Sequence, residues 1–303
     1  MSERGARAYL LLLCPLAAIW GASFFFIKVA VRDLEPSVVM EGRLALSGLT
    51  LLPVLLVQRG RTALADVRAV AGPGLLLGIV NSAVPFTLIA WGEKHVDSGV
   101  AAIANASTPI WVALLAIPFL PSERAAGLKL VGIVLGLVGV GALAGAEPSA
   151  GAWAIVGTLA VVLASFFYAA SNIWIQPRFP TDRAIALVAV SMLVGAVALL
   201  PLALVQLPNE APGWKATGSV LALAFAGTSI GLLMYYRLLE RYGSARASLV
   251  TYLAPAAALA YGIGLLGEPL RPSELIGLVL IMGGVALGSG LVRPLGRAPA
   301  PAA

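Results

Sequence analysis

The chain holds one histidine, His95, and one cysteine, Cys14. One of each cannot build a multi-histidine or thiolate metal site, nor an intrachain disulfide. His95 sits in a hydrophilic break and Cys14 in an apolar run, which leaves no nucleophile–base pair. No Gly-x-x-x-x-Gly-Lys-Ser/Thr phosphate loop occurs. No catalytic residue, metal ligand or cofactor is therefore expected. What remains is a set of charges inside apolar runs (Lys28, Glu41 and Arg43) with scattered amides, hydroxyls and aromatic rings. Such groups are suited to binding a small molecule, and they show no nucleophile–base pairing.

The elements that must position them follow from composition. Of 303 residues 60% are hydrophobic and 11% charged, and mean hydropathy is +0.95. Soluble domains carry about 25% charged residues, so a cytosolic globular enzyme is excluded. The apolar runs are continuous over roughly 20 residues rather than alternating, which excludes a membrane β-barrel. The fold class is all-α and membrane-integral, with ten expected helices at about 9–31, 37–57, 71–91, 98–120, 125–145, 152–176, 184–205, 216–236, 244–266 and 272–292. Arg4 and Arg7 ahead of the first run look like a signal-peptide n-region, but the run is too long for one and is taken as an uncleaved span.

Net charge is +6. The basic residues fall in short breaks, which points to membrane topology and not to nucleic acid. With the N-terminus inside, 14 Lys and Arg lie at the inner breaks and 4 (Arg32, Lys94, Lys215 and Arg271) at the outer ones. Both termini are therefore expected in the cytoplasm.

The second half repeats the first. Residues 51–58 (LLPVLLVQ) and 199–206 (LLPLALVQ) agree at six of eight positions, 148 apart. Glu123, Gly132, Gly139 and Val140 match Glu268, Gly277, Gly284 and Val285 at 145, and Pro109 matches Pro255 at 146. Two five-helix units are expected, 1–145 and 146–303. An odd number of helices per unit inverts the second copy, an architecture of secondary transporters with the solute site near the midplane.

The Trp20-Gly21-Ala22-Ser23-Phe24 segment, Lys28 eight residues after Trp20, Arg43 early in the second helix, and Glu268 with Gly277 and Gly284 around the tenth resemble the drug/metabolite transporter superfamily. The nearest branch is the EamA-type carriers, and the resemblance runs from about residue 9 to 292. It implies export of amino acids, drugs or other small metabolites. In the second half Tyr168-Ala169-Ala170-Ser171-Asn172 stands where the Trp20 segment would recur, so the site is not expected to be symmetric.

Substrate contacts are expected from Trp20, Ser23, Asn81, Phe86, Asn105, Thr108, Tyr168, Asn172, Thr228, Thr251 and Tyr252. Amides are costly to face lipid, whereas hydroxyls also serve helix packing and rings also serve the core or the interfacial belt. Pro109 and Pro255 fall near the centres of helices 4 and 9, where each removes a hydrogen bond and frees the carbonyl four residues earlier, Asn105 and Thr251. Kinks lining a pathway are expected there, with structural kinks satisfied by neighbours as the alternative. Lys28 and Glu41 lie at similar depth in the outer third and are expected to pair, with Arg43 on another face. The trio reads as an external gate, a proton-coupling carboxylate, or an ion pair bracing the hairpin. Glu123 and Glu268 each precede a helix N-terminus and are expected to cap it. The glycines of helices 5 and 10 form small-residue faces, for packing within the chain or for a dimer contact.

The expectation is a carrier in the cell (inner) membrane, monomer or homodimer. Its partners would be a small-molecule substrate and the lipid bilayer, without nucleic acid. A channel-like facilitator or lipid flippase and a membrane-embedded enzyme are the rival readings.

Overall fold

The computed structural model describes residues 3–119, 128–144, 151–174 and 183–288. Helix is the only regular structure among them. The first half holds α1 Glu3–Ala30, α2 Pro36–Arg59, α3 Ala63–Leu77, α4 Val84–Glu93, α5 Ser98–Asn105, α6 Thr108–Phe119 and α7 Leu128–Ala144. The second holds α8 Ala152–Trp174, α9 Ala184–Val205, α10 Trp214–Ala222, α11 Gly231–Tyr242, α12 Ser244–Ala247, α13 Val250–Tyr261 and α14 Pro272–Gly288. Three wide π-helical segments, Gly78–Ala83, Leu223–Ile230 and Gly262–Leu266, join α3 to α4, α10 to α11, and extend α13.

Among the described residues six helical stretches are long and apolar enough to cross a membrane. One of them, Pro36–Glu93, runs for 58 residues and contains two of the expected spans. The expected span 184–205 coincides with α9. The span expected from residue 71 begins at Ala63 instead. Arg59, Arg61, Asp66 and Arg68 read as a loop, but Asp66 is clamped by Arg59 at 2.6 Å and Arg183 at 3.3 Å, so the helix continues through the charges. Glu123 and the span ends and connections at 120–127, 145–150, 175–182 and 289–292 lie outside the described residues.

Helix pairing follows a pattern. α2 lies along α9, and α7 along α14. α1 packs on α13, while α8 packs on α5 and α6. α9 packs on α3 and Gly78–Ala83, while α2 packs on α10 and Leu223–Ile230. Each pairing recurs when every element is exchanged for the one that follows the same place in the other half. α1 is thus embedded mainly among second-half helices and α8 among first-half helices, so the two halves interlock.

The glycines of α7 and α14 face one another. A Cβ on Gly284 would lie 2.5 Å from the Gly132 carbonyl and 2.6 Å from the Gly136 amide nitrogen. Backbone approach of this kind is what small-residue faces permit in a membrane. Gly136, Gly139, Gly277 and Gly284 are thus packed within the chain.

The fourth and ninth expected helices are both broken, but not alike. Between α5 and α6 the helix is interrupted at Ala106 and Ser107, and Pro109 occupies the first turn of α6, where its missing N–H costs little. The Asn105 carbonyl takes the Thr108 hydroxyl at 2.9 Å and the Ser165 hydroxyl of α8 at 3.2 Å. Backbone freed at membrane depth must find such partners. In the ninth, the break falls at Ser248 and Leu249, ahead of α13, and Pro255 sits buried inside α13. In both helices a break precedes the proline.

Candidate functional site

Arg43 is the centre of the site. It leaves α2 two turns from its start and is only 8% exposed. Its guanidinium is folded into the seam between the halves. Its Nε donates to the Thr228 hydroxyl at 2.8 Å. Thr228 is presented by the wide Leu223–Ile230 segment, and its own hydroxyl donates to the Leu223 carbonyl five residues back at 2.9 Å. Widening a helix by one residue frees carbonyls, and hydroxyls at Thr228 and Ser229 take them up. The Arg43 Cζ lies 4.2 Å from the centroid of the Phe86 ring, a cation–π contact. Phe86 in turn meets Tyr168 of α8 edge to face, at 6.4 Å between centroids. Among the described residues no carboxylate pairs with Arg43. Four elements from both halves thus converge on one cation lined by an aromatic ring and a hydroxyl.

Lys28 does not pair with Glu41. Its ammonium donates to the main-chain carbonyls of Glu93 at 2.7 Å and Val96 at 2.6 Å, where a cation at the C-terminus of α4 is favoured. Glu41 is half-buried and borders a separate cleft of about 470 Å³ with Val38, Leu46, Leu207, Glu210 and Leu221. Both oxygens of Glu268 serve α5 rather than the helix that follows in sequence. They accept from the Ser98 amide at 2.9 Å, the Ser98 hydroxyl at 2.7 Å and the Gly99 amide at 3.4 Å. Arg271 reaches Asp97 at 2.9 Å and Glu274 at 3.3 Å, and Lys94 reaches Glu35 at 2.9 Å. The Lys- and Arg-poor end of the bundle is therefore laced together. At the basic end a cleft of about 300 Å³ opens between Leu55, Asp66, Arg183, Leu233, Tyr236 and Glu240.

The remaining expected contacts divide. Trp20 lies 5.3 Å from Tyr235 in a second aromatic cluster with Tyr9 and Leu238, apart from the cluster that packs around Phe86 and Tyr168. Ser23 is buried and donates to the Ile19 carbonyl of its own helix at 3.3 Å. Asn81 is half-buried in the Gly78–Ala83 segment. Asn105 and Thr108 hold the α5–α6 break. Thr251 is exposed and donates to the Ser248 carbonyl at 2.7 Å, Asn172 is exposed, and Tyr252 packs half-buried on the core. Of the expected set, Phe86, Tyr168, Thr228 and Arg43 come together.

Two residues escaped the sequence reading. Ser165 secures the broken helix from α8. Glu93, taken as part of a hydrophilic break, is the fully buried last residue of α4. An acidic residue at a helix C-terminus opposes the macrodipole, and that mismatch was the available signal.

With this geometry in place, comparison with known proteins is direct. The model of the EamA-like transporter family matches residues 7–144 and again 155–290. The chain belongs to that family. It is 28% identical over 279 residues to an uncharacterized inner membrane transporter, YedA, of Escherichia coli, covering 91% of this chain and 88% of that protein. It is 29% identical over 288 residues to a probable amino-acid metabolite efflux pump of Salmonella typhimurium, covering 89% and 91%. A crystal structure at 19% identity aligns with a TM-score of 0.65 over 95% of this chain and 99% of that one, which establishes the shared fold. The protein is an EamA-family transporter whose regular structure over its described residues is helix.

Proposed function

We propose that the protein is a secondary transporter of the inner membrane that exports small amphipathic metabolites, amino acids foremost, by alternating access at the seam between units 1–145 and 146–303. Both termini are cytoplasmic in this reading, because the basic residues gather at one end of the bundle. The observation that carries it is the Arg43 pocket. A guanidinium in low dielectric that lacks a carboxylate is suited to take one from a solute, bidentately. Phe86 and Tyr168 beside it supply an apolar wall for a side chain, and Thr228 holds the guanidinium in place. Apolar pockets with a few placed polar groups fix the orientation of small ligands. Two clefts, one lined by Asp66 and Tyr236 and one by Glu41, mark the two ends that alternating access would open in turn. The name of the Salmonella relative supports amino acids as the class.

The test is efflux of an amino-acid panel from proteoliposomes containing the purified chain, with and without a pH gradient, alongside Arg43→Ala. Saturable efflux with counter-exchange, abolished by the substitution, is expected. Non-saturating conductance would indicate a channel, and movement of esters as readily as free acids would remove Arg43 as the carboxylate anchor.

A further inference from the structure

Glu93 ends α4 in surroundings that give its carboxyl group no hydrogen bond. It is 0% exposed, and neither carboxyl oxygen has a hydrogen-bond partner. The cation best placed to pair with it, Lys28 of α1, is directed at two main-chain carbonyls, one of them Glu93's own. The other charges that act on Glu93 are Arg43 of α2 and Glu268. Arg43 is committed to Thr228 and Phe86, and Glu268 is a second acid, whose oxygens are occupied by Ser98 and Gly99. α5 and Gly78–Ala83 bring no titratable side chain, and α8 brings Tyr168, which acts on Arg43. In the turn beyond, Lys94 is paired with Glu35, Asp97 with Arg271, and His95 is stacked between Trp91 and Trp153. An isolated buried carboxylate without donors is far more costly than a buried carboxylic acid. The neutral form is the one this geometry accepts.

The surroundings of Glu93 are also those that must part if the Lys- and Arg-poor end opens. Glu268 on the N-terminus of α5 and Arg271 on Asp97 tie the segment after α13 to the turn after α4. Breaking those ties would open the surroundings of Glu93 to water. Resting on the transporter reading above, we propose that Glu93 is the proton-binding residue of the gate at this end. In the open gate its carboxylic acid passes its proton to water, giving carboxylate and hydronium. Closure reverses the step, with one proton taken from the solution on that side. The gate is thereby linked to external pH.

The test has two arms on the full chain. Infrared spectra of the reconstituted protein at neutral pH should contain a protonated-carboxyl C=O stretch that Glu93→Gln removes and Glu268→Gln leaves in place. In proteoliposomes of known orientation, the rate of any substrate moved should depend on pH on the gate side, by up to about ten-fold per pH unit for one linked proton, because opening releases that proton and closure takes it up. Glu93→Gln should flatten that slope. A flat wild-type profile for a transported substrate overturns the proposal without any variant, and so does a Glu93→Gln protein that keeps the band or the slope. If no amino acid moves while the band behaves as expected, the substrate reading fails and the buried acid stands.

Discussion

The molecule contains the same seam twice. α2 lies against the wide segment Leu223–Ile230, and α9 lies against the wide segment Gly78–Ala83. On the first seam stand Arg43 and Thr228, joined at 2.8 Å. On the second, the residue 148 positions after Arg43 is Ser191, whose hydroxyl donates to the Val188 carbonyl of its own helix at 2.9 Å, and the facing Ser82 hydroxyl has no partner. Hydroxyls that bond to their own helix cost little to bury. A guanidinium removed from water costs several kcal/mol unless its surroundings compensate. The two seams share their packing, and a costly charge stands on one of them only. The difference locates the chemistry where the packing alone would not, because the packing is shared.

The largest effect should separate the two seams outright. Arg43→Ala should weaken amino-acid binding by roughly 10- to 100-fold, the equivalent of about 1.5–3 kcal/mol for hydrogen bonds to a charged group. Ser191→Ala should change it by less than about two-fold, since its hydroxyl is satisfied within its own helix. Isothermal titration on the purified protein measures both, and equal losses would mean the seams are functionally alike. Next in size, Thr228→Val keeps the shape of the side chain but removes the acceptor for Nε. Binding should weaken about 10-fold, and unchanged affinity would show that Thr228 does not orient the guanidinium. Phe86→Leu removes only the ring face and should cost about 0.5–1 kcal/mol, a two- to five-fold change in the same titration.

How much of this was readable beforehand depended on what each residue's signal was local to. The apolar runs announce their helices because a bilayer demands about 20 apolar residues in a row, and α9 falls where its run does. Arg43, Phe86, Tyr168 and Thr228 were visible as polar or aromatic residues in the right helices. Their meeting was not, because it depends on α8 packing among first-half helices and α1 among second-half ones. Trp20 shows the cost of that gap. It belongs to a motif of the first helix, yet α1 carries it to Tyr235 and away from Arg43. Lys28 and Glu41 were matched by depth alone, and depth does not specify the face. Pro109 and Pro255 marked the right helices, but hydroxyls at Ser107 and Thr251 decide where the turns break.

The two ends of the bundle differ as well, and the smallest prediction addresses the Lys- and Arg-poor one. His95 lies in the turn between α4 and α5, its ring stacked 5.3 Å from Trp153 and 4.5 Å from Trp91. Burial among these rings, then the ammonium charges of Lys94 and Lys28, hold its imidazole below the usual 6.5. The unfolded chain therefore binds this proton more readily than the folded one, and unfolding takes up protons as pH falls through about 6.5 and below. Stability from the neutral ring is complete above that range and declines beneath it. His95→Phe keeps an aromatic ring and cannot be protonated, so its melting temperature should decline less under mild acid while matching the wild-type pH trend above neutrality. The difference should stay within about 2 °C, because the group is partly solvated and screened. Parallel melting profiles across the whole range would mean that the acid sensitivity of this end does not arise at His95.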